Sequence, residues 1–351
     1  MDLLYAQGPV LTAIHPGAFS SLNSDSMNNT SIPKVDIAPE RADIHFARLH
    51  HFRNRLRNRW LRLHGEKFWK GRELLAYQDV HRKITDAIQN KASYAVGRLG
   101  GVEASLMMWG KRIPSIFWRP DSWTLFADTA SGATNAGIRP RNMQSYRVFA
   151  DLAWDALEQL DLLGVWKTGY EAICLGPHTK KVFFDVEITG PNSHNACHWM
   201  RALKGRRVLV VSPFTGTIQH QIPKLGKVWP EMPWLAETDF HLVPFPYLID
   251  EGCSESWWEV YERIGALFSR GDYDVALLGC GGLGLPFAHL AKKSGRVGIH
   301  LGGHLQLVFG IYGQRHLDQN WFREQMNEHW VRPNASEVPN SAKRVEGGCY
   351  W

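Results

Sequence analysis

No stretch of the 351 residues stays apolar for the ~20 positions that a membrane-spanning helix needs. The opening residues, MDLLYAQGPVLTAIHPG, lack the basic start of a secretory leader. There is no Cys-x-x-Cys pair. The five cysteines, Cys174, Cys197, Cys253, Cys280 and Cys349, are scattered and odd in number, which excludes a zinc ribbon and a disulfide framework and fits reduced thiols. The G-x-S-x-G elbow and the Walker A sequence are also missing, and with them the common serine-hydrolase and P-loop chemistries. His194 and His198 stand four apart, yet Asn195 follows the first where a zinc protease needs glutamate. Together these absences predict a cytoplasmic protein, at most peripheral to the inner membrane.

Tryptophan, by contrast, is plentiful, with 15 residues. Indole faces stack on the C–H faces of sugars, but they also serve ordinary cores and interfaces, so the count alone does not decide between them. Exposed tryptophans would favour a homo-oligomer. The formal net charge is +6. Much of the excess lies in one stretch, Arg53, Arg55, Arg57, Arg59 and Arg62 followed by Lys67 and Lys70, and the rest is close to balanced. No nucleic-acid partner is therefore expected for the surface as a whole. The stretch 41–70 reads as a basic helix facing solvent, a protein partner or an anionic membrane surface, with nucleic acid as the remaining reading.

Residues 1–40 include SSLNSDSMNNTSIPK, which has little to bury and predicts a flexible segment. A basic helical region follows over 41–90, with Tyr77, Val80, Ile84, Ala87 and Ile88 on one face of its second helix. Residues 91–333 form the main domain, and 334–351 a C-terminal tail. Within the domain, residues 146–160 carry a helical stripe of Phe149, Leu152, Ala153, Ala156, Leu157 and Leu160. Short apolar runs at 94–99, 162–166, 181–186, 207–212, 241–245, 274–278 and 297–301 do not alternate as half-exposed strands would. A helix around Trp257, Val260, Tyr261, Ile264 and Phe268 separates two of them. The pattern predicts an α/β fold, a mostly parallel sheet with helices on both faces. Ligands in such folds sit at the carboxyl ends of the strands.

Four stretches place chemistry at such ends. In YDVALLGCGGLGLPFAHLAKKSGRVGIHLGG (273–303), Gly279, Gly281 and Gly284 fit G-x-G-x-x-G with Gly282 between them, after a strand and before a helix. The next strand runs into His300-Leu301-Gly302-Gly303 with no acid, so NAD is not expected and a nucleotide or diphosphate loop remains. A tight turn without ligand is the plain alternative. In YAVGRLGGVEASLMMWG (94–110), Arg98 can fork onto a phosphate or carboxylate. Gly100 and Gly101 open the turn after it, and Glu103 is a base, a metal ligand, a ribose contact or merely a complement to a helix N-terminus. In VFFDVEITG (182–190), Asp185 and Glu187 share a strand face and can hold Mg²⁺ or Mn²⁺. In VLVVSPFTGTIQHQ (208–221), Ser212 and Thr215 precede a helix and either face an anion or simply cap it.

VGRLGGVEA (96–104), NAGIRP (135–140), VLVVSPF (208–214), DVALLGCGGLGLPFAHLAKKSG (274–295), IHLGGHLQLVFGIYGQRH (299–316) and the ending EHWVRP…VEGGCYW carry a resemblance over roughly residues 90–351. The chain resembles GT-D-type glycosyltransferases of bacterial capsule and lipopolysaccharide clusters. The resemblance implies a Rossmann-like fold that takes a nucleotide-sugar donor. In the family's R-x-G-D-G-E stretch, Arg98 and Glu103 match the Arg and Glu, and Gly101 stands where the Asp would be. One metal ligand is thus missing: either Asp185 or Glu187 replaces it, or the enzyme works without metal, or the activity is different. The implied reaction moves a sugar to a polysaccharide or lipid-linked acceptor. Arg98 would neutralise the leaving diphosphate, and Glu103 or Glu187 would act as base. The glycine turn with Ser212 would hold phosphates, while Asn135, Gln306 and Trp109 would shape the sugar pocket. A pyruvyl or phosphoryl transferase, or a non-catalytic scaffold in surface-polysaccharide assembly, is the alternative.

Overall fold

A computed structural model describes residues 44–110, 132–133, 135–141, 143–176, 181–191, 198–250, 252–317, 319–345 and 347–351. The expected flexible segment over 1–40, His194, Cys197 and the side chain of Trp109 lie outside what it describes. Every expected strand is present, and all seven run parallel: β1 (Tyr94–Arg98), β2 (Leu162–Val165), β3 (Val182–Asp185), β4 (Arg207–Ser212), β5 (Asp239–Pro244), β6 (Val275–Leu278) and β7 (Val297–His300). Their order across the sheet is β3-β2-β1-β7-β6-β4-β5. The apolar runs do not alternate because both faces are buried. Ala95, Leu163, Leu209, Val211, Ala276 and Leu278 pack into a core on one side. Their neighbours Val96, Leu162, Val208, Val210, Val275 and Leu277 pack into a second core on the other.

The helices that cover these faces follow from their apolar stripes. α1 (Ile44–Trp69) and α2 (Tyr77–Gln89) precede the sheet. α3 (Gly101–Gly110), α4 (Met143–Gln159) and α5 (Gly169–Leu175) lie between β1 and β3 in the chain. α6 (Thr215–Gln221), α7 (Trp257–Ser269), α8 (Gly284–Lys293) and α9 (His304–Val308) follow. The stripe of α4 joins the first core, and α2 buries Val80, Ile84, Ala87 and Ile88 in the second. α7 starts at a reciprocal cap, in which Ser256 accepts from the Glu259 N–H while the Glu259 side chain bonds back to the Ser256 N–H. No described helix is long and apolar enough to cross a membrane.

Two local features are consequential. α2 also buries His81, whose ring centroid lies 4.6 Å from that of His198. Burial pulls the His81 pKa down to about 4 and, with the neighbouring ring adding to it, that of His198 to about 3, so both are neutral. α1 crosses α5 at two glycines, with a side chain on Gly65 3.1 Å from the Gly169 Cα, and one on Gly169 overlapping the Leu61 carbonyl oxygen. Trp69 Nε1 fixes the crossing by donating to the Thr168 carbonyl at 3.3 Å. Gly169→Ala should therefore push the helices apart and cost about 1–3 kcal/mol. Urea unfolding reads this directly, and an unchanged midpoint would contradict the close crossing.

Sheet order sets where a ligand can enter. The chain leaving β4 runs outward to β5, and the chain leaving β6 runs the opposite way to β7, although β4 and β6 are neighbours. Diverging connections open a crevice at the carboxyl ends of the two strands.

Candidate functional site

A cavity of about 630 Å³ lies at that crevice, within the size range of small-molecule sites. Arg98, Gly100, Gly101 and Glu103 line it from the end of β1, Trp166 and Thr168 from β2, and Ser212 from β4. Tyr247 follows β5, Gly279 and Gly281 follow β6, and His300, Gly303 and Gln306 come from the end of β7 and α9. Asn135 joins them from the loop before α4, and Arg315, Tyr350 and Trp351 from the C-terminal part of the chain. The fold thus gathers residues more than two hundred positions apart into one wall.

Arg98 ends β1 and is only partly exposed. Its Nη1 donates to the Leu301 carbonyl at 2.8 Å, and its guanidinium carbon lies 5.0 Å from the centre of the Trp166 ring. Burial draws its pKa down, while Tyr350, Glu187 and Glu103 favour the cation. No carboxylate stands within ion-pair distance of it among the described residues, and an arginine stays protonated in such surroundings. Glu103 is the third residue of α3 and folds back over Gly100, where any Cβ would overlap its Oε2. Among the described residues lining the cavity it is the one acidic side chain, and two arginines, Arg98 and Arg315, line the same cavity. Arg315 itself lies 5.0 Å over the Tyr350 ring.

Other expected site residues stand elsewhere. The strand expected to carry both Asp185 and Glu187 ends at Asp185, and Glu187 lies in the 3₁₀ turn Val186–Thr189. The two carboxylates accordingly take different partners. Asp185 accepts from the Glu187 N–H at 3.2 Å and stands 3.8 Å from Lys167 Nζ. Glu187 is 3.1 Å from His304 Nε2, and that hydrogen bond holds its pKa below the ordinary carboxylate range. Neither lines the cavity, so this pair does not fit a shared divalent-metal site.

Thr215 is also outside the cavity. The N–H groups behind it are taken by the chain's own Glu337, whose carboxylate accepts from Gly216 N at 2.7 Å and Thr217 N at 3.1 Å and bonds the Thr217 hydroxyl. Ser212 does line the cavity, but its hydroxyl accepts from Phe214 N at 3.1 Å. In the glycine turn only Gly279 and Gly281 reach the cavity. Gly282 donates its N–H to the Ala136 carbonyl at 3.0 Å. Gly284 turns towards β7, where a Cβ would overlap the His300 ring. The turn is thus mainly a packing device and offers less to a phosphate than its spacing suggests.

No family model, curated protein or solved structure matches the chain.

Several contributors, Arg315 among them, escaped the sequence reading. Glu171 is fully buried and accepts from the Trp166 N–H at 2.8 Å and the Thr168 N–H at 2.6 Å, so it holds the loop that carries Trp166. Burial raises its pKa to about 7 against those bonds. Its signature was legible as Thr168-x-x-Glu171, a capping box opening α5. The residues expected as a tail supply Glu337, Tyr350 and Trp351, and Tyr247 donates its hydroxyl hydrogen to the Glu337 carbonyl. His300 faces no obvious sequence signal; only its place at a strand end marks it.

Proposed function

We propose that this chain is a glycosyltransferase that moves a sugar from a nucleotide-sugar donor to a polysaccharide or lipid-linked acceptor. The observation that carries the reading is the charge of the cavity, two arginines against one glutamate among its described lining residues, at the carboxyl ends of a parallel sheet. Such a cavity favours an anion, and Arg98, without an ion-pair partner among the described residues, can meet a diphosphate through its fork. Trp166, Tyr247, Tyr350 and Trp351 give the same cavity ring faces for sugar or base.

In that reaction the acceptor oxygen bonds to the sugar's anomeric carbon as the bond to the diphosphate oxygen breaks. Arg98 stabilises the charge gathering on the diphosphate, and Glu103 takes the proton from the acceptor hydroxyl. Glu187, bound to His304 outside the cavity, is a poorer base than Glu103. No step is assigned to a metal, because the two carboxylates expected to bind one are separately engaged.

A thermal-shift screen with UDP, GDP and their sugar conjugates tests this. A ligand at a hundred times its dissociation constant adds about 2.7 kcal/mol. One nucleotide class should stabilise the protein, and equally so with Mn²⁺ or with EDTA. Stabilisation lost in EDTA would mean that other acids complete a metal site, and no shift with any nucleotide would remove the donor assignment.

A further inference from the structure

We infer that His300 and Gln306 form a hydroxyl-reading subsite at the end of β7, which binds the polyhydroxylated part of a ligand whose anionic group lies on Arg98. This rests on the reading of the cavity as an anion site and adds what stands beside the anion. Both residues line the cavity, and both are more than nine-tenths buried.

Each keeps only an acceptor unused. His300 Nδ1 is 3.3 Å from the Leu278 carbonyl oxygen, which has no hydrogen to give, so Nδ1 carries the proton and donates. Burial, reinforced by Arg98, keeps the ring neutral, leaving Nε2 with a lone pair and no hydrogen. Gln306 is fixed in the same sense. Its Nε2 donates to the Tyr350 carbonyl at 3.2 Å and the Ile311 carbonyl at 3.4 Å. A flipped amide would set oxygen against both carbonyls, so the orientation is determined. Its Oε1 is buried without a hydrogen-bond partner among the described residues. An orphaned buried acceptor is costly and asks for a donor.

An ionised phosphomonoester or diphosphate cannot supply one, because all its oxygens then only accept. The sugar of a sugar phosphate can, since its hydroxyls donate, and a diphosphate attached to it would lie within reach of the neighbouring Arg98 fork. The β7 end therefore selects a phosphorylated polyol over a simple anion.

Calorimetric titration at pH 8, where phosphomonoesters and terminal diphosphates are ionised, tests this with matched probes: glucose 1-phosphate against methyl phosphate, and UDP-glucose, UDP-N-acetylglucosamine and GDP-mannose against UDP and GDP. His300→Asn keeps a donor for the Leu278 carbonyl and removes only the Nε2 acceptor, and Gln306→Met removes Oε1. The wild type should prefer a sugar-bearing probe over its bare counterpart by about tenfold or more, and each variant should erase about tenfold of that preference. If glucose 1-phosphate shows this and no nucleotide binds, the subsite stands and the nucleotide-sugar reading falls. A preference unchanged in both variants, or absent for every sugar-bearing probe in the wild type, overturns the subsite, and intact UDP or GDP binding would then leave the donor reading in place. Should Gln306→Met fail to fold, ¹⁵N correlation spectra of the wild-type His300 ring decide the polarity. A proton on Nδ1 is expected, and a proton on Nε2 overturns the assignment.

Discussion

Arg98→Ala should lower turnover of the stabilising nucleotide sugar by about 10²–10³-fold, the usual cost of removing one preorganised group that meets charge in the transition state. The fold should survive. The variant loses one hydrogen bond to the Leu301 carbonyl, about 1 kcal/mol, and a stack on Trp166, both at the cavity rather than in either core. Arg98→Lys should recover little, because an ammonium has neither the fork for two phosphate oxygens nor the flat face for the indole. Glu103→Gln should divide differently, with kcat reduced and donor KM nearly unchanged, since a base acts on the acceptor and not on the diphosphate. Wild-type kcat/KM in Arg98→Ala would end the assignment of Arg98 to the diphosphate and with it the case for this site.

Stability should fall steeply between pH 7 and pH 5. His81 is held at a pKa of about 4 and His198, His300 and His316 at about 3, all by burial, against an unfolded value of 6.5. Below 6.5 the unfolded chain takes protons that the folded chain refuses, so each histidine's contribution is fully present above 6.5 and is lost as pH falls towards its folded pKa. At pH 5 that loss is about 2 kcal/mol per histidine. Glu171 works in the opposite direction. Its folded pKa of about 7 lies above the unfolded 4.5, so acidification relieves its burial and offsets about one histidine's worth. The remainder is a large part of the net stability of an ordinary domain. Thermal melts across this window should show a drop of well over ten degrees, and a flat profile would mean that the buried rings are hydrated. His81→Phe should flatten part of the slope without touching the cavity.

The sheet was legible in the sequence because burial on both faces leaves a plain mark: short apolar runs that do not alternate, bounded by glycine or charge. α2, α4 and α7 were legible for the complementary reason, an apolar stripe at helical spacing. The site was legible only where strand ends announced it, as at Arg98, Glu103, Gly279 and Gln306. Spacing did not reveal direction. Gly284 fits the fingerprint and yet faces the His300 ring, and Asp185 and Glu187 look like a pair until the strand stops between them. Long-range partners were out of reach altogether. Nothing local to Glu337 says that its carboxylate will cap a helix more than a hundred residues earlier.

The pairing of β1 with β7 has a consequence for how the protein is made. Residues 94–96 pair with residues 297–299, so the central seam of the sheet closes only after about two hundred further residues have been made. Until then β1, β2 and β3 form a three-stranded piece whose inner edge is bare and whose strands are apolar on both faces. At translation speeds of about 5–20 residues per second, that edge waits on the order of ten seconds or more for its partner. A nascent chain in this state exposes an unpaired edge at which misassociation can begin. Overexpression at low temperature, which slows misassociation of such edges, should raise the soluble yield.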